Sequence, residues 1–240
     1  MPWGRLRYSL GRAHLFRHLD HRPHQILDVG GGSGLDAIPL AQMGHTVTIV
    51  DYSSEMLAEA RLNAAANGVS DRLVFHQAGL DSISALFAGR QFDTVLCHNV
   101  LQYVDDLEAP LEAMCAVLRP GGLLSIICLN RYSETYRQAL YQLNLPAALA
   151  NVDADTIMTV VFGVPVKAYA VEDMREPLRA AGCEVLGEYG IRCVCDYIQN
   201  SDIKHDPVFF EQLEKLELAV SDKHPYRSLG RFFQVVAHKI

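Results

Sequence analysis

The sequence predicts an α/β fold in which helices cover both faces of a mostly parallel sheet. Three observations predict it. Apolar runs of strand length alternate with helix-spaced segments between residues 25 and 129. The first of these runs ends in a cluster of glycines that opens a helix. Of the 240 residues, 50% are apolar, enough to bury a sheet on both faces.

The elements follow in order. Residues 6–19 carry Leu6, Leu10, Leu15, Phe16 and Leu19, a modest helical stripe. QILDVGGGSG (25–34) is a strand running into a glycine turn, and residues 35–43 are helical. HTVTIVD (45–51) is a second buried strand ending in an acid. Residues 53–67 form a helix with Ser53 or Ser54 as cap and Asn67-Gly68 as stop. Residues 73–78 and 92–98 are the third and fourth strands, 107–118 a helix, and 119–122 a turn. LLSIICL (123–129) is the fifth strand. Residues 131–168 break this rhythm and read as a cap inserted after strand five, with Met158 and Phe162 as packing residues. A helix at 171–181 and a strand at 183–189, continued through 190–197, come next. Residues 207–221 read as an acidic amphipathic helix with Phe210, Leu213, Leu216 and Val220 inward and its acids solvated. RFFQVVAH (231–238) closes the chain as a strand, and residues 1–240 read as one domain.

Bulk composition narrows the function. The formal net charge is −7. A protein built around nucleic acid usually shows a basic face, so the balance argues against one without excluding a local basic patch, and it suits a small-molecule site or a transient, locally steered contact equally well. Six cysteines are present, several inside apolar runs, where cysteine acts as a small hydrophobe. Cys193 and Cys195 sit two apart on an expected strand, so their side chains share a face. No second pair at zinc spacing accompanies them, and no metal is expected. No apolar run reaches the ~20 residues of a membrane span, and residues 6–19 are too interrupted for a signal peptide. The chain reads as cytoplasmic.

The glycine turn carries the chemistry. Gly30, Gly31, Gly32 and Gly34 follow a buried strand and let backbone approach a ligand at the strand's carboxyl end. Asp28 precedes them, an acid with no place in the G-x-G-x-x-G dinucleotide fingerprint. Asp51 ends strand two, where a carboxylate accepts two ribose hydroxyls; alone it does not separate one nucleoside cofactor from another. Leu80 and Asp81 follow strand three, and His98 ends strand four.

DVGGGSG, IVDYS, FDTVLCHNVLQYV and VLRPGGLLSI together resemble the class I S-adenosylmethionine-dependent methyltransferases over residues 25–130. That resemblance implies a Rossmann-like sheet of seven strands with the last antiparallel, and S-adenosylmethionine as methyl donor. GIRCVCDYI (190–198), FFEQLEKLEL (209–218) and PYRSLGRFFQVVAHK (225–239) resemble more narrowly the tRNA 5-carboxymethoxyuridine methyltransferases, which esterify a wobble-uridine carboxylate. By that match residues 1–20 are a lid helix and Arg7 contacts the methionine carboxylate. Gly30 and Gly31 line the amino-acid end and Asp51 the ribose, and Asp28, Gly32, Gly34 and Tyr52 complete the cofactor-binding candidates. Leu80 and Asp81 meet the adenine, and His98 forms the floor. The same family carries a lysine-rich stretch where this chain has VFGVPVKAYA with only Lys167, so phosphate contacts are not written there. The acceptor therefore stays open between tRNA, which the acidic charge does not favour, and a small molecule.

Methyl transfer to a carboxylate needs alignment more than acid–base help. For that acceptor, Arg192 and Arg231 are the candidate guanidinium forks, with Tyr197 beside them. For a hydroxyl or amine acceptor, His98 is the candidate base.

Overall fold

The computed structural model describes residues 2–104, 106–158 and 165–240. Nine helices and nine strands are described, in the order α1 (Pro2–Phe16), β1 (Gln25–Val29), α2 (Ala37–Gln42), β2 (Thr46–Asp51), α3 (Ser54–Ala66), β3 (Leu73–Gln77), α4 (Ile83–Leu86), β4 (Phe92–His98), α5 (Glu108–Ala116), β5 (Leu118–Leu129), α6 (Arg131–Tyr136), α7 (Leu145–Ala150), β6 (Thr156–Met158), β7 (Pro165–Lys167), α8 (Arg175–Ala180), β8 (Cys183–Ile191), α9 (Pro207–Val220) and β9 (Phe232–Lys239). Seven strands form one sheet in the order β3-β2-β1-β4-β5-β9-β8. β9 runs antiparallel to both of its neighbours, so the last strand enters between β5 and β8 against the direction of the other six.

Alternation along β1 shows how the sheet is buried. Ile26 packs with Val47, Ile49, Leu57 and Ala60 on one face. Leu27 and Val29 pack with Val50, Val95, Ile126 and Phe233 on the other. Each such side chain contributes about 1.5–3 kcal/mol by leaving water. α1 lies across the sheet with Leu6 and Leu10 fully buried against Ile127, Ile191 and Leu213. Among the described residues, no helix is long and apolar enough to cross a membrane.

Several elements differ from the sequence expectation. α2 begins at Ala37 rather than residue 35, and Asp36 at its start makes no capping bond; its carboxylate is drawn to His98 instead. The expected turn at 119–122 is absorbed into β5 as an irregularity, with the register shifting between Phe92 and Thr94. The helix expected at 171–181 splits into a 3-10 turn, Val171–Met174, and α8. The stretch expected as a cap holds α6, a π turn over Arg137–Tyr141, α7 and the antiparallel pair β6–β7. Met158 is exposed there rather than packed, and Phe162 lies outside the described residues.

Two corrections concern the C-terminal third. β8 stops at Ile191, because Arg192 takes a left-handed backbone with φ 61°. Cys193 and Cys195 therefore lie in a turn and share no strand face. The turn is held from α9, whose Glu217 is fully buried and accepts from the backbone N–H groups of Cys193 (2.6 Å), Val194 (3.0 Å) and Cys195 (2.8 Å). So the acids of α9 do not all face water, and Leu216, expected inward, is 46% exposed. The helical face turned by one residue toward Glu217 satisfies three backbone donors that the apolar stripe could not.

Candidate active site

The five parallel strands from β3 to β5 end at one edge of the sheet, and chain progression reverses between β1 and β4, the place where open α/β sheets bind ligands. The turn after β1 forms the floor. Gly30 has φ 69°, and a Cβ there would come within 2.2 Å of Val100 Cγ2. A Cβ at Gly31 would meet Asp28 Oδ2 at 2.6 Å. Gly32 and Gly34 also have positive φ, at 52° and 82°. The turn is therefore closed to side chains from below and presents bare backbone.

Three carboxylates gather under and beside it. Asp28 is 1% exposed, and its Oδ2 has no partner. Burial pushes its carboxyl well above the usual range, and the nearby Asp36 and Asp51 charges push it further. A cation placed against that oxygen would favour its ionised form. Asp51 accepts from Gly32 N and Ser53 N, both at 2.9 Å. Each of its oxygens keeps a lone-pair direction for a further donor. Burial works against ionisation of Asp36, yet His98, Arg7 and Arg12 hold it below its ordinary value.

His98 ends β4 with both ring nitrogens engaged. Nδ1 lies 3.0 Å from Asp36 Oδ2, and Nε2 lies 2.9 Å from Ser125 Oγ. That leaves no free lone pair for proton abstraction. Asn99 follows in a left-handed conformation, φ 60°, with both amide atoms buried and unpartnered; Gln102 Oε1 is in the same condition. Buried polar atoms without partners at a strand end are a ligand-shaped gap in the hydrogen bonding. Leu80 and Asp81 lie in the short turn after β3, Leu80 half-buried and Asp81 exposed. Tyr52 stands 81% exposed.

A second cluster lies at the ends of β5 and β8. Arg192 forms a two-pronged pair with Asp196, at 2.6 and 2.5 Å. Arg231 reaches Glu134 at 2.6 Å, and Arg137 grips the same carboxylate at 3.0 and 2.7 Å. Three guanidinium groups thus face two acids, a local cationic surplus in an acidic chain. Tyr197 donates to the Leu229 carbonyl at 2.6 Å, and burial pushes its phenol up. The two clusters meet at Phe232, whose ring centroid lies 5.9 Å from the Arg7 guanidinium and 5.4 Å from that of Arg192.

The structure brings Asp28, the four glycines, Asp51 and His98 to one edge, with Arg7 on the facing helix. Arg192, Arg231 and Tyr197 form the adjoining wall. Sequence reasoning missed Asp36, Arg137, Glu134 and Ser125. Asn99, which the sequence places directly after His98 at the strand end, is where that reading puts it.

Residues 26–122 match the family model described as a methyltransferase domain. The chain belongs to the S-adenosylmethionine-dependent methyltransferases, enzymes whose methyl donor is S-adenosylmethionine. It is 32% identical to the tRNA 5-carboxymethoxyuridine methyltransferase of Escherichia coli K12, over 99% of this chain and 91% of that one. It is 34% identical to a ubiquinone biosynthesis O-methyltransferase of Psychrobacter cryohalolentis, over 48% of this chain and 45% of that one. An S-adenosylmethionine-dependent methyltransferase of Mesorhizobium loti shares the fold, with a TM-score of 0.62 at 17% identity, covering 96% of this chain and 98% of that one.

The donor fits the residues present. The unpartnered Asp28 oxygen suits an ammonium, the bare glycine backbone a carboxylate, and the Asp51 lone pairs two ribose hydroxyls.

Proposed function

We propose that the enzyme methylates a carboxylate, and that its acceptor is the carboxymethoxy group of a modified uridine in tRNA. The observation that carries the reading is the surplus of guanidinium over carboxylate in the Arg137–Arg192–Arg231 cluster, joined to Arg7 through Phe232. A planar carboxylate matches a guanidinium fork and would exchange with Asp196 or Glu134 as partner.

The donor supplies an electrophilic methyl group; the protein's own work is to hold and align. Asp28, Gly30, Gly31, Gly32 and Gly34 would receive the amino-acid end with Arg7. Asp51 and Tyr52 would flank the ribose, and Leu80 and Asp81 the base. Arg192 and Arg231 would orient the acceptor carboxylate, with Tyr197 bracing the wall through Leu229. His98, bonded on both sides, supports the floor rather than removing a proton. A carboxylate is already ionised at neutral pH, so a site without a free base suits it. The relative matched along almost the whole chain is named for such a carboxylate acceptor. The ubiquinone biosynthesis O-methyltransferase likenesses cover 48–70% of the chain and 45–62% of those proteins, less than the almost full-length match.

The test is direct. Purified protein, S-adenosylmethionine and tRNA carrying 5-carboxymethoxyuridine should give a methylated nucleoside by mass spectrometry, and tRNA lacking that group should give none. Donor binding without transfer to the modified tRNA would remove the acceptor assignment and leave the enzyme class standing.

A further inference from the structure

A chain of buried hydrogen bonds runs from the site floor to α1, and one amide directs it. Gln234 on β9 is fully buried. Its Nε2 lies 3.0 Å from the Gly11 carbonyl and 2.9 Å from Ser125 Oγ, and its Oε1 lies 2.9 Å from His14 Nδ1. The Gly11 carbonyl only accepts, so the nitrogen of Gln234 must face it, and the amide has one allowed orientation. Oε1 then only accepts, which places the His14 proton on Nδ1 and leaves His14 Nε2 bare; that nitrogen is indeed without a partner. The second N–H of Gln234 goes to Ser125 Oγ. The Ser125 hydroxyl, occupied as acceptor from that side, has its own proton to give, and His98 Nε2 is the atom facing it.

We infer that Gln234 is a positioning residue that fixes His98 as the Nδ1–H tautomer, donating to Asp36, and ties that state to the docking of α1. The inference rests on the reading that His98 and Arg7 belong to the donor site. It extends that reading by assigning the arrangement to a residue on a different strand. Undocking α1 removes the Gly11 carbonyl and His14 from Gln234 together. The amide is then free to turn over and present its oxygen to Ser125. Ser125 would donate to it, and His98 Nε2 would lose its donor. The helix that carries Arg7 and the histidine at the floor are in this way set by the same side chain, and Asp36, held by His98, follows.

Two variants separate the links. Ser125→Ala removes the hydroxyl that joins Gln234 to His98 and leaves the bonds of Gln234 to Gly11 and His14, whereas Gln234→Met keeps length and apolar bulk and cuts every link. Nitrogen-15 NMR of the histidine side chains reads the tautomer, and calorimetry with S-adenosylhomocysteine reads the donor site. In the unmutated enzyme His98 should show a protonated Nδ1 and an accepting Nε2. Both variants should lose that preference and bind S-adenosylhomocysteine roughly tenfold more weakly, the size of one uncompensated buried bond. Gln234→Met alone should also speed tryptic cleavage within residues 2–17. A purely structural role would lower thermal stability without moving the His98 signals. A protonated Nε2 at His98 in the unmutated enzyme would overturn the inference, as would an unchanged tautomer in either variant. Should Gln234→Met fail to fold, Ser125→Ala decides alone. If the unmutated enzyme ignores S-adenosylhomocysteine, the donor-site reading fails, while the tautomer still judges the role of Gln234.

Discussion

Mild acid should destabilise the protein through His14, a buried residue of α1. His14 is fully buried, with its ring stacked on Tyr189 at 4.3 Å between centroids. Burial lowers its pKa from 6.5 to about 4, against the bond to Gln234; Arg17 and His18 lower it further and Asp222 opposes them. The sign follows from which state binds the proton. Below pH 6.5 the unfolded chain protonates His14 and the folded chain does not, so stability falls as the pH drops from 6.5 toward 4 and then levels. The loss amounts to about 2 kcal/mol at pH 5 and about 3 kcal/mol at pH 4. For a chain of this length, 2 kcal/mol corresponds to roughly 4–8 °C in Tm. The assay is urea unfolding of the unmutated protein and His14→Phe, which keeps an aromatic ring against Tyr189, at pH 7.5 and pH 5. Other titrating groups are common to both and cancel in the difference. The stability advantage of the unmutated protein should shrink by about 2 kcal/mol between those two pH values. An advantage that stays constant would refute the assignment of a neutral, proton-excluding His14.

Other substitutions probe the site itself. Gly30→Ala should abolish S-adenosylhomocysteine binding, because the new methyl meets Val100 Cγ2 at 2.2 Å and an L-residue at φ 69° is strained by about 1–2 kcal/mol; calorimetry with retained affinity would contradict it. Glu217→Leu strands three backbone donors, each costing about 1–3 kcal/mol when unsatisfied, so a calorimetric Tm equal to that of the unmutated protein would show that the turn finds other acceptors. Arg192→Ala should lower kcat/KM for the acceptor by roughly tenfold to a hundredfold, the worth of a charge-assisted bond, with donor affinity kept. A fall in donor affinity instead would move Arg192 to the other half of the site.

The legible part of the fold was the part that local chemistry determines. Continuous apolar runs such as VTIVD and LLSIICL can be satisfied only inside a covered parallel sheet. The glycines after β1 announced a close backbone approach because few other turns need three positive φ angles within five residues. Legibility failed where a distant side chain decided the outcome. Nothing near Cys193 reveals that Glu217, on another element, would take its N–H and end the strand. The stripe on α9 was misplaced for the same reason, since a periodicity argument counts an acid as polar and cannot see three donors waiting for it. Asp36 stands at the cap position of α2, yet its carboxylate goes to His98, which only the sheet brings close. The cationic wall was half visible. Arg192 and Arg231 came from the resemblance of the tail, whereas Arg137 and the acids that hold the wall together come from elements adjacent only in space.

The central claim is that the methyl group ends on a carboxylate, and the chemical bond formed reports on it directly. Protein incubated with methyl-labelled S-adenosylmethionine and tRNA carrying 5-carboxymethoxyuridine should yield labelled tRNA that releases its label as methanol under mild alkali, as a methyl ester does. Label that withstands alkali, as an ether or methylamine would, contradicts the account.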